Sequence, residues 1–292
     1  MRIYKLENLS KLNADFSLLV KETLCVFEQS LHTAAVLWGS PPSYSYINNH
    51  KQEFLWDEIS IIPGLSESFI KKYKNWVNWE CISELQFLSE NFIEKYKEYV
   101  DWRCISVHRT LSESFIEKHK DRVNWENISS CQTLSETFIE KFENKVYWNW
   151  ISRFQTLSED FIERHKDKLD WIYISIAQTL SEELIEKYKE YVDWRCISVH
   201  QTLSESFIER YKNKVDWDYI SRYQKLSEQF IEKFENKVYW NWISRFQTLS
   251  EDFIEKYKDK LDWACIFTRQ KLSESFIEKY KDKVDWRSLS RI

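Results

Sequence analysis

A 23-residue period runs through most of this 292-residue chain and constrains its fold more than any other feature. Each unit begins with a Leu-Ser pair or its equivalent, and a Trp follows fourteen residues later. Ten units in phase begin at Leu65, Leu88, Leu111, Leu134, Leu157, Leu180, Leu203, Leu226, Leu249 and Leu272. Tandem units of this length are typical of a solenoid, in which each unit buries its apolar face only against its neighbours.

The scarcity of turn-forming residues favours helices. Gly occurs twice and Pro three times, and all five precede Leu65. Sandwiches and barrels need such residues at regular intervals, so helices joined by tight turns suit this chain better. An aromatic content of 17% supplies large apolar side chains for each small core. We therefore predict an all-α fold, an α-solenoid of stacked two-helix 23-residue repeats, with the handedness of the superhelix left open.

Each unit, numbered from its Leu as position 0, has the pattern of two helices. Ser at position 1 is the predicted N-cap of a first helix of about three turns, whose inner face carries Phe, Tyr and Val at positions 4, 8 and 12. Asp or Asn at position 13 is the predicted N-cap of a second helix of about two turns, which Trp opens. Tyr147 and Tyr239 replace this cap, so we expect those two helices to start less sharply.

The repeats divide the chain into three predicted parts. Residues 65–292 hold the ten tandem units, and residues 42–64 align as a degenerate eleventh unit. Pro63 and Gly64 interrupt the end of that unit, where we expect a local change in stacking. The pattern of apolar residues before it predicts an N-terminal helical cap over residues 1–41.

A longer period is superimposed on the repeats. Residues 88–171 match residues 180–263 closely, so a block of four units is duplicated and its surface is presented twice. The last unit has no polar capping helix after it, and an uncapped solenoid end exposes apolar surface. Self-association is therefore one expectation.

The candidate binding residues are those that change from unit to unit. They occupy positions 15, 16, 19 and 20, which form two adjacent stripes on the second helix and predict a recognition face there. Arg, Trp and Tyr dominate binding energy at protein interfaces. Alternatively, the aromatic side chains only fill gaps between units. The candidate binding residues are Arg103, Asn149, Trp150, Arg153, Arg195, Asp218, Arg222, Tyr223, Asn241, Trp242 and Arg245.

Three functions fit this pattern. The first is a scaffold that binds a protein partner. The second is single-stranded nucleic-acid binding by an Arg and aromatic stripe, against which stand the net charge of −5 and acidic residues such as Glu80, Glu84 and Glu126 on the same stripe. The third is a self-assembling structural component.

Catalytic and metal-binding patterns do not stand out. The six Cys form no CxxC pair, and four of them share position 16, where a small, half-buried residue fits, so neither zinc nor any other cofactor is expected. His119 and His165 replace the Tyr of position 8, which favours a role in the core. Without a nucleophile and base, a carboxylate pair or a phosphate-binding glycine loop, we predict a non-enzyme.

The sequence has no apolar stretch long enough to span a membrane, and its N-terminus does not resemble a signal peptide. We therefore expect no membrane-spanning segment. The unpaired pattern of cysteines fits a reducing compartment. We therefore expect a cytoplasmic protein with no membrane partner.

The unit LSEDFIEKYKDKLDW, followed by Ile-Ser and Gln as in WISRFQ, resembles the short Trp-containing helical repeats of giant DNA viruses that infect amoebae. The likeness covers residues 65–292 and, more weakly, 42–64. It implies a viral protein that works in the host cytoplasm or in the virion, with a host or viral protein as its partner. Those families supply no catalytic or binding residues to transfer.

Overall fold

The computed structural model describes residues 56–283. The predicted cap over residues 1–41, most of the degenerate unit and residues 284–292 lie outside the described residues. Within 56–283 the chain forms twenty α-helices and one 3-10 helix, with no strand in that part. The described residues fall into two compact units, 56–101 and 102–283. The predicted fold class is confirmed: the chain is an all-α solenoid of two-helix repeats.

The helices alternate between the first and second helix of each repeat. The first compact unit contains α1 Trp56–Ser60, α2 Glu67–Lys72, α3 Trp79–Leu85 and α4 Glu90–Lys95. The second contains α5 Trp102–His108, α6 Glu113–Lys118, α7 Trp125–Cys131, α8 Glu136–Lys141, α9 Trp148–Phe154, α10 Glu159–Arg164, α11 Trp171–Ala177, α12 Glu182–Lys187, α13 Trp194–His200, α14 Glu205–Arg210, α15 Trp217–Tyr223, α16 Glu228–Lys233, α17 Trp240–Phe246, α18 Glu251–Lys256, α19 Trp263–Arg269, α20 Glu274–Tyr280 and the 3-10 helix Lys281–Lys283.

The first helices are shorter than the three turns predicted from the sequence. In α4, for example, the helix ends before Tyr96, whose φ of −113° and ψ of 25° depart from helical values. Tyr96 O then accepts hydrogen bonds from Tyr99 N at 2.8 Å and Val100 N at 3.1 Å in the turn that follows. In the described residues no amino acid other than glycine has a positive φ. This turn therefore needs no glycine, which is how a chain with two glycines can reverse direction so often.

The predicted helix caps are confirmed. The Ser at position 1 accepts a hydrogen bond from the backbone N–H three residues later, as Ser89 Oγ does from Phe92 N at 3.2 Å. Asp or Asn caps the second helices in the same way: Asp193 Oδ1 accepts a hydrogen bond from Cys196 N at 2.8 Å. Tyr147 makes no side-chain cap bond, as expected. Its helix nevertheless begins at the usual position, because Tyr147 O accepts backbone bonds from Trp150 N and from Ile151 N, each 3.0 Å long.

Successive second helices are direct neighbours, from α5 through the odd-numbered helices to α19 in the second compact unit and from α1 to α3 in the first. The Ile at position 17 of these helices is fully buried, as Ile197 and Ile220 show. The Trp that opens each helix crosses to the next repeat: the Trp194 ring lies 6.3 Å from Phe207 and 4.9 Å from Tyr211, centroid to centroid. Its Nε1 donates to Lys189 O at 3.0 Å, so the half-buried ring packs between repeats without losing its hydrogen bond.

A buried serine joins each second helix to the next. Ser198 Oγ donates to Trp194 O at 2.7 Å and accepts from Asp216 N at 3.0 Å, and its side chain is fully buried. The same pair of bonds recurs down the chain, starting with Ser60, which accepts from Asn78 N at 2.8 Å. Ser60 and Trp56 thereby confirm that the degenerate unit keeps the register of the repeats in its described part.

A buried glutamine at position 21 bonds three backbone groups in one segment, which runs from the end of the preceding repeat to the Leu that begins its own. Gln201 Oε1 accepts from Leu180 N at 3.0 Å, and Nε2 donates to Ser175 O at 3.1 Å and Gln178 O at 2.7 Å. We call this series the glutamine ladder, because each amide bonds the carbonyl of the glutamine one repeat earlier. The complete pattern recurs at Gln155, Gln178, Gln201, Gln224 and Gln247.

The ladder departs from its regular form at two places. Near Pro63 the amide of Gln86 donates to Ile62 O at 2.8 Å, one residue earlier than the repeat would place the acceptor, and Gly64 has a φ of +86°. This is the predicted local change in stacking. At position 21 of the unit that starts at Leu88, the buried Arg109 replaces glutamine, and its carbonyl still accepts from Gln132 at 2.6 Å.

We expect Gln178→Leu to lower the free energy of unfolding by about 2 kcal/mol or more, because it leaves one N–H and two carbonyls buried without their partner. Urea denaturation followed by circular dichroism measures the change. The exposed neighbour Thr179 provides the control: Thr179→Ala should change stability by less than about 0.5 kcal/mol. Equal effects of the two substitutions would contradict the role given to the amide.

Trp171→Ala should lower the free energy of unfolding by about 3–5 kcal/mol, because Trp171 is only 9% exposed and packs against Tyr188 and Tyr191 of the next repeat. Urea denaturation followed by circular dichroism measures this change in the free energy of unfolding. Ile172→Ala is the matched control, since Ile172 is the next residue and is 54% exposed. A loss below about 1 kcal/mol for Trp171→Ala would mean that this ring does not hold neighbouring repeats together.

Candidate functional site

All eleven candidate binding residues lie on second helices of the second compact unit, on α5, α9, α13, α15 and α17. We call the side chains at positions 15, 16, 19 and 20 of these and the neighbouring odd-numbered helices the second-helix face. The residues that are exposed are Arg103, Asn149, Arg153, Arg195, Tyr223, Asn241 and Arg245, and those that are half-buried are Trp150, Asp218, Arg222 and Trp242.

Charges on the first helices are paired with one another from repeat to repeat. Lys187 Nζ lies 2.6 Å from Glu163, and Arg210 lies 2.7 Å from Glu186. Pairs of the same kind join most neighbouring first helices of the second compact unit. Exposed pairs of this kind contribute little stability. They do, however, pair the Lys or Arg of each of these helices with a carboxylate of the same surface.

Arginines of the second-helix face contact aromatic rings instead. The guanidinium carbon of Arg222 lies 4.9 Å from the ring centroid of Tyr223, 4.7 Å from that of Trp242 and 5.7 Å from that of Phe246. Its Nε is buried and has no hydrogen-bond partner. Cation–π contact therefore fixes the position of this guanidinium between two neighbouring helices.

Arg153 and Arg195 are held in a similar way. The guanidinium carbon of Arg153 lies 5.0 Å from the Phe154 centroid and 5.2 Å from that of Tyr173. That of Arg195 lies 5.2 Å from the Tyr219 centroid, and Arg195 Nε donates to the Tyr219 hydroxyl at 3.1 Å. In the described part of the chain, no carboxylate oxygen lies within ion-pairing distance of Arg153, Arg195, Arg222 or Arg245. The stacked guanidinium groups therefore keep their charge available.

The aromatic side chains fill gaps and also remain exposed. Trp150 and Trp242 at position 16 are half-buried between neighbouring helices. The rings one turn later are far more open, with Tyr223 48% and Phe246 46% exposed. The position-20 rings thus form an outward apolar surface beside the arginines.

Two clefts open where position 16 is Cys. One, of about 570 Å³, is lined by Asp218, Tyr239, Trp242, Arg245 and Cys265, among others. A second, of about 400 Å³, lies beside Arg195, Cys196 and Tyr219. In the first copy of the duplicated block Tyr173 stands where Cys265 stands in the second. A small thiol in place of a ring leaves the space beside Trp242 open.

The position-16 cysteines are half-buried, as predicted. Burial raises the pKa of the Cys196 thiol to about 11, and the hydrogen bond and negative charge of Asp193 add to the effect. Burial likewise raises the pKa of Cys265. These groups therefore stay protonated near neutral pH, where a catalytic thiol would need to be a thiolate.

The predicted core positions of two histidines are confirmed. His119 is buried and its ring lies 4.8 Å from that of Trp102, while His165 lies 5.2 Å from Trp148 and 3.1 Å from a Glu140 oxygen. Across residues 56–283 no three His, Cys, Asp or Glu side chains are placed to hold a metal ion. No helix in this range is long and apolar enough to cross a membrane.

The fold and this face define a class of protein, the α-solenoids of two-helix repeats with a variable surface on the second helices. No protein-family model, no curated protein and no solved structure matches the chain. No relative therefore assigns a role to the second-helix face, and its chemistry has to be derived from its own side chains.

The list of candidate binding residues omits part of the site. It lacks Tyr173 and Tyr219 at position 16 and Arg269 at position 20, although the sequence places both positions on the face. It also takes no account of a difference in charge between second helices: the charged residues of α1 and α3 are all acidic, whereas α5 to α19 carry six arginines against Glu126 and Asp218. Adding the charges helix by helix would have shown this difference, while the two tyrosines follow from their position in the repeat.

Cys196 should react with iodoacetamide at pH 8 at least about tenfold more slowly than free cysteine, because only the thiolate reacts and the pKa of Cys196 is about 11. Peptide mapping by mass spectrometry measures the rate at this one residue. Asp193→Asn should lower that pKa and speed the reaction, while Asn still caps the helix. A rate equal to that of free cysteine would contradict the burial of the thiol.

Proposed function

We propose that the chain is a non-enzymatic repeat scaffold that binds a host or viral protein through the second-helix face of residues 102–283. One observation carries the proposal. Four arginines of this face, Arg153, Arg195, Arg222 and Arg245, are held against aromatic rings without an ion-pair partner, whereas the Lys and Arg of the first helices pair with carboxylates. Positioned arginine beside exposed Tyr and Phe is the composition of interface hot spots.

The resemblance to repeats of giant viruses supports a viral origin and a place in the host cytoplasm or in the virion. The extended row of second helices supports a partner that contacts several repeats at once, since each helix adds only a few variable side chains. The energy of binding is then distributed over several repeats.

Single-stranded nucleic acid is the second candidate, because arginine and aromatic residues alternate on the face. Two observations count against it. Rings of the face are already in contact with a guanidinium: the guanidinium carbon of Arg222 lies 4.7 Å from the Trp242 ring centroid. A nucleic-acid base would have to displace that group in order to stack on the ring. The second helices from α5 to α19 contain no lysine, and Glu126 and Asp218 add negative charge.

Affinity capture from amoeba lysate, with and without nuclease, tests the proposal. The tagged full chain should retain a nuclease-resistant protein, and Arg153→Glu with Arg245→Glu should abolish its retention, because both guanidinium groups are exposed on the face. Arg164→Glu with Arg210→Glu makes the same change of charge on first helices and should retain the protein. Circular dichroism confirms that both variants fold.

Each other outcome points elsewhere. Recovery that disappears with nuclease would favour nucleic acid. Recovery of the chain alone would favour self-assembly, and equal loss in both pairs of variants would remove the second-helix face as the site of binding.

A further inference from the structure

Four consecutive second helices each contribute one arginine to the second-helix face. They are Arg195 on α13, Arg222 on α15, Arg245 on α17 and Arg269 on α19. Asp218 is the single carboxylate within these four helices, and they contain no lysine. We call this series the arginine ladder. The other second helices of the compact unit do not repeat it, since α7 and α11 carry no arginine.

Three of the four ladder arginines, Arg195, Arg222 and Arg245, are preorganised by contact with aromatic rings. Arg195 is bonded to the Tyr219 hydroxyl of the next helix, and Arg222 lies over Trp242 of the next helix. A stacked guanidinium keeps its N–H donors in the plane of the group, where they can bind a carboxylate. Arg222 can offer only its two Nη groups, because its Nε is buried, and Arg195 already donates from Nε and one Nη to Tyr219. Because aromatic rings already fix these arginine side chains, they lose less conformational entropy on binding than freely moving arginines would.

The spacing of the ladder follows from the stacking of helices. The guanidinium carbons of Arg222 and Arg245 lie 5.7 Å and 5.5 Å from the same ring centroid, that of Phe246. They are therefore no more than about 11 Å apart, in line with the 8–10 Å between packed helices. A peptide in the extended polyproline II conformation advances about 3.1 Å per residue with three residues per turn, so every third side chain lies on the same face, about 9 Å from the last.

We propose that the arginine ladder binds an extended acidic segment of a partner protein, with a carboxylate at about every third residue. The proposal rests on the proposed function and names the chemistry of its partner. The cleft of about 570 Å³ beside Trp242 and Arg245 receives an uncharged side chain that lies between two carboxylates of the segment, because Asp218 and Asp262 in its lining would repel an acidic one. The exposed ring of Phe246 adds apolar contact between Arg222 and Arg245.

Fluorescence anisotropy with two synthetic peptides tests the ladder on the full chain. The first is a labelled dodecamer with the triplet Glu-Leu-Ser repeated four times, and the second has the same composition with its four Glu contiguous. The spaced peptide should bind more tightly, and its binding should weaken as salt rises. Labelled oligothymidine of twelve nucleotides is the nucleic-acid probe.

Arg222→Gln with Arg245→Gln should weaken binding of the spaced peptide by about tenfold or more, because two charge-assisted contacts are lost. Arg164→Gln with Arg210→Gln, on the first helices, should stay within about twofold. Circular dichroism of each variant separates lost binding from lost fold.

Three results would overturn the proposal. They are equal affinity for the two peptides, no effect of the Arg222 and Arg245 substitutions, and equal or tighter binding of oligothymidine. If a protein captured from lysate still depends on Arg153 and Arg245 while the spaced peptide does not bind, the scaffold function stands and only the acidic-segment proposal fails.

Discussion

The amide side chain at position 21 makes the hydrogen bonds on which this architecture depends. Where a second helix passes into the next first helix, two carbonyls and one N–H are buried and have no helical partner, and leaving them unpaired would be costly in a medium of low dielectric constant. Glutamine has one acceptor oxygen and two N–H donors, so Gln201 pairs all three groups at once. Because one acceptor belongs to the previous glutamine, each repeat is held in register with the repeat before it.

These bonds determine which positions of a repeat are structural and which can vary. Positions 0, 1, 13, 14, 18 and 21 are committed to caps, to the Trp contacts and to the serine and glutamine bonds between repeats, as Ser198 and Gln201 illustrate. Positions 15, 16, 19 and 20 carry none of these bonds, so their side chains can differ between repeats without disturbing the stack. The Lys or Arg of a first helix pairs with a carboxylate of its neighbour, as Arg210 does with Glu186. The guanidinium groups without a carboxylate partner, such as those of Arg153 and Arg222, are left on the second helices.

Identical sequence does not produce identical sites in this chain. WNWISRF forms both α9 and α17, yet Arg153 lies over Tyr173 of the following repeat, whereas Cys265 follows α17 and leaves a cleft beside Trp242. Arg222 of the preceding repeat lies over Trp242. The equivalent residue before Trp150 is Ser130, which has no guanidinium to place over the ring. A solenoid site is shared between neighbours, so its properties depend on three successive repeats rather than on one.

The sequence by itself determined the helical class, the 23-residue register, the caps such as Ser89 and Asp193, and the outward stripe of variable residues, because all of these depend on local hydrogen bonding and on the spacing of apolar residues. It overestimated the length of the first helices, since their end depends on a turn at position 8 that carries no glycine or proline. Only the tertiary structure decided which groups meet across repeats: the three partners of Gln201, the rings that hold Arg222, and the cleft beside Cys265. These contacts join residues about one repeat apart, and their distances depend on how the helices stack, which no single repeat encodes.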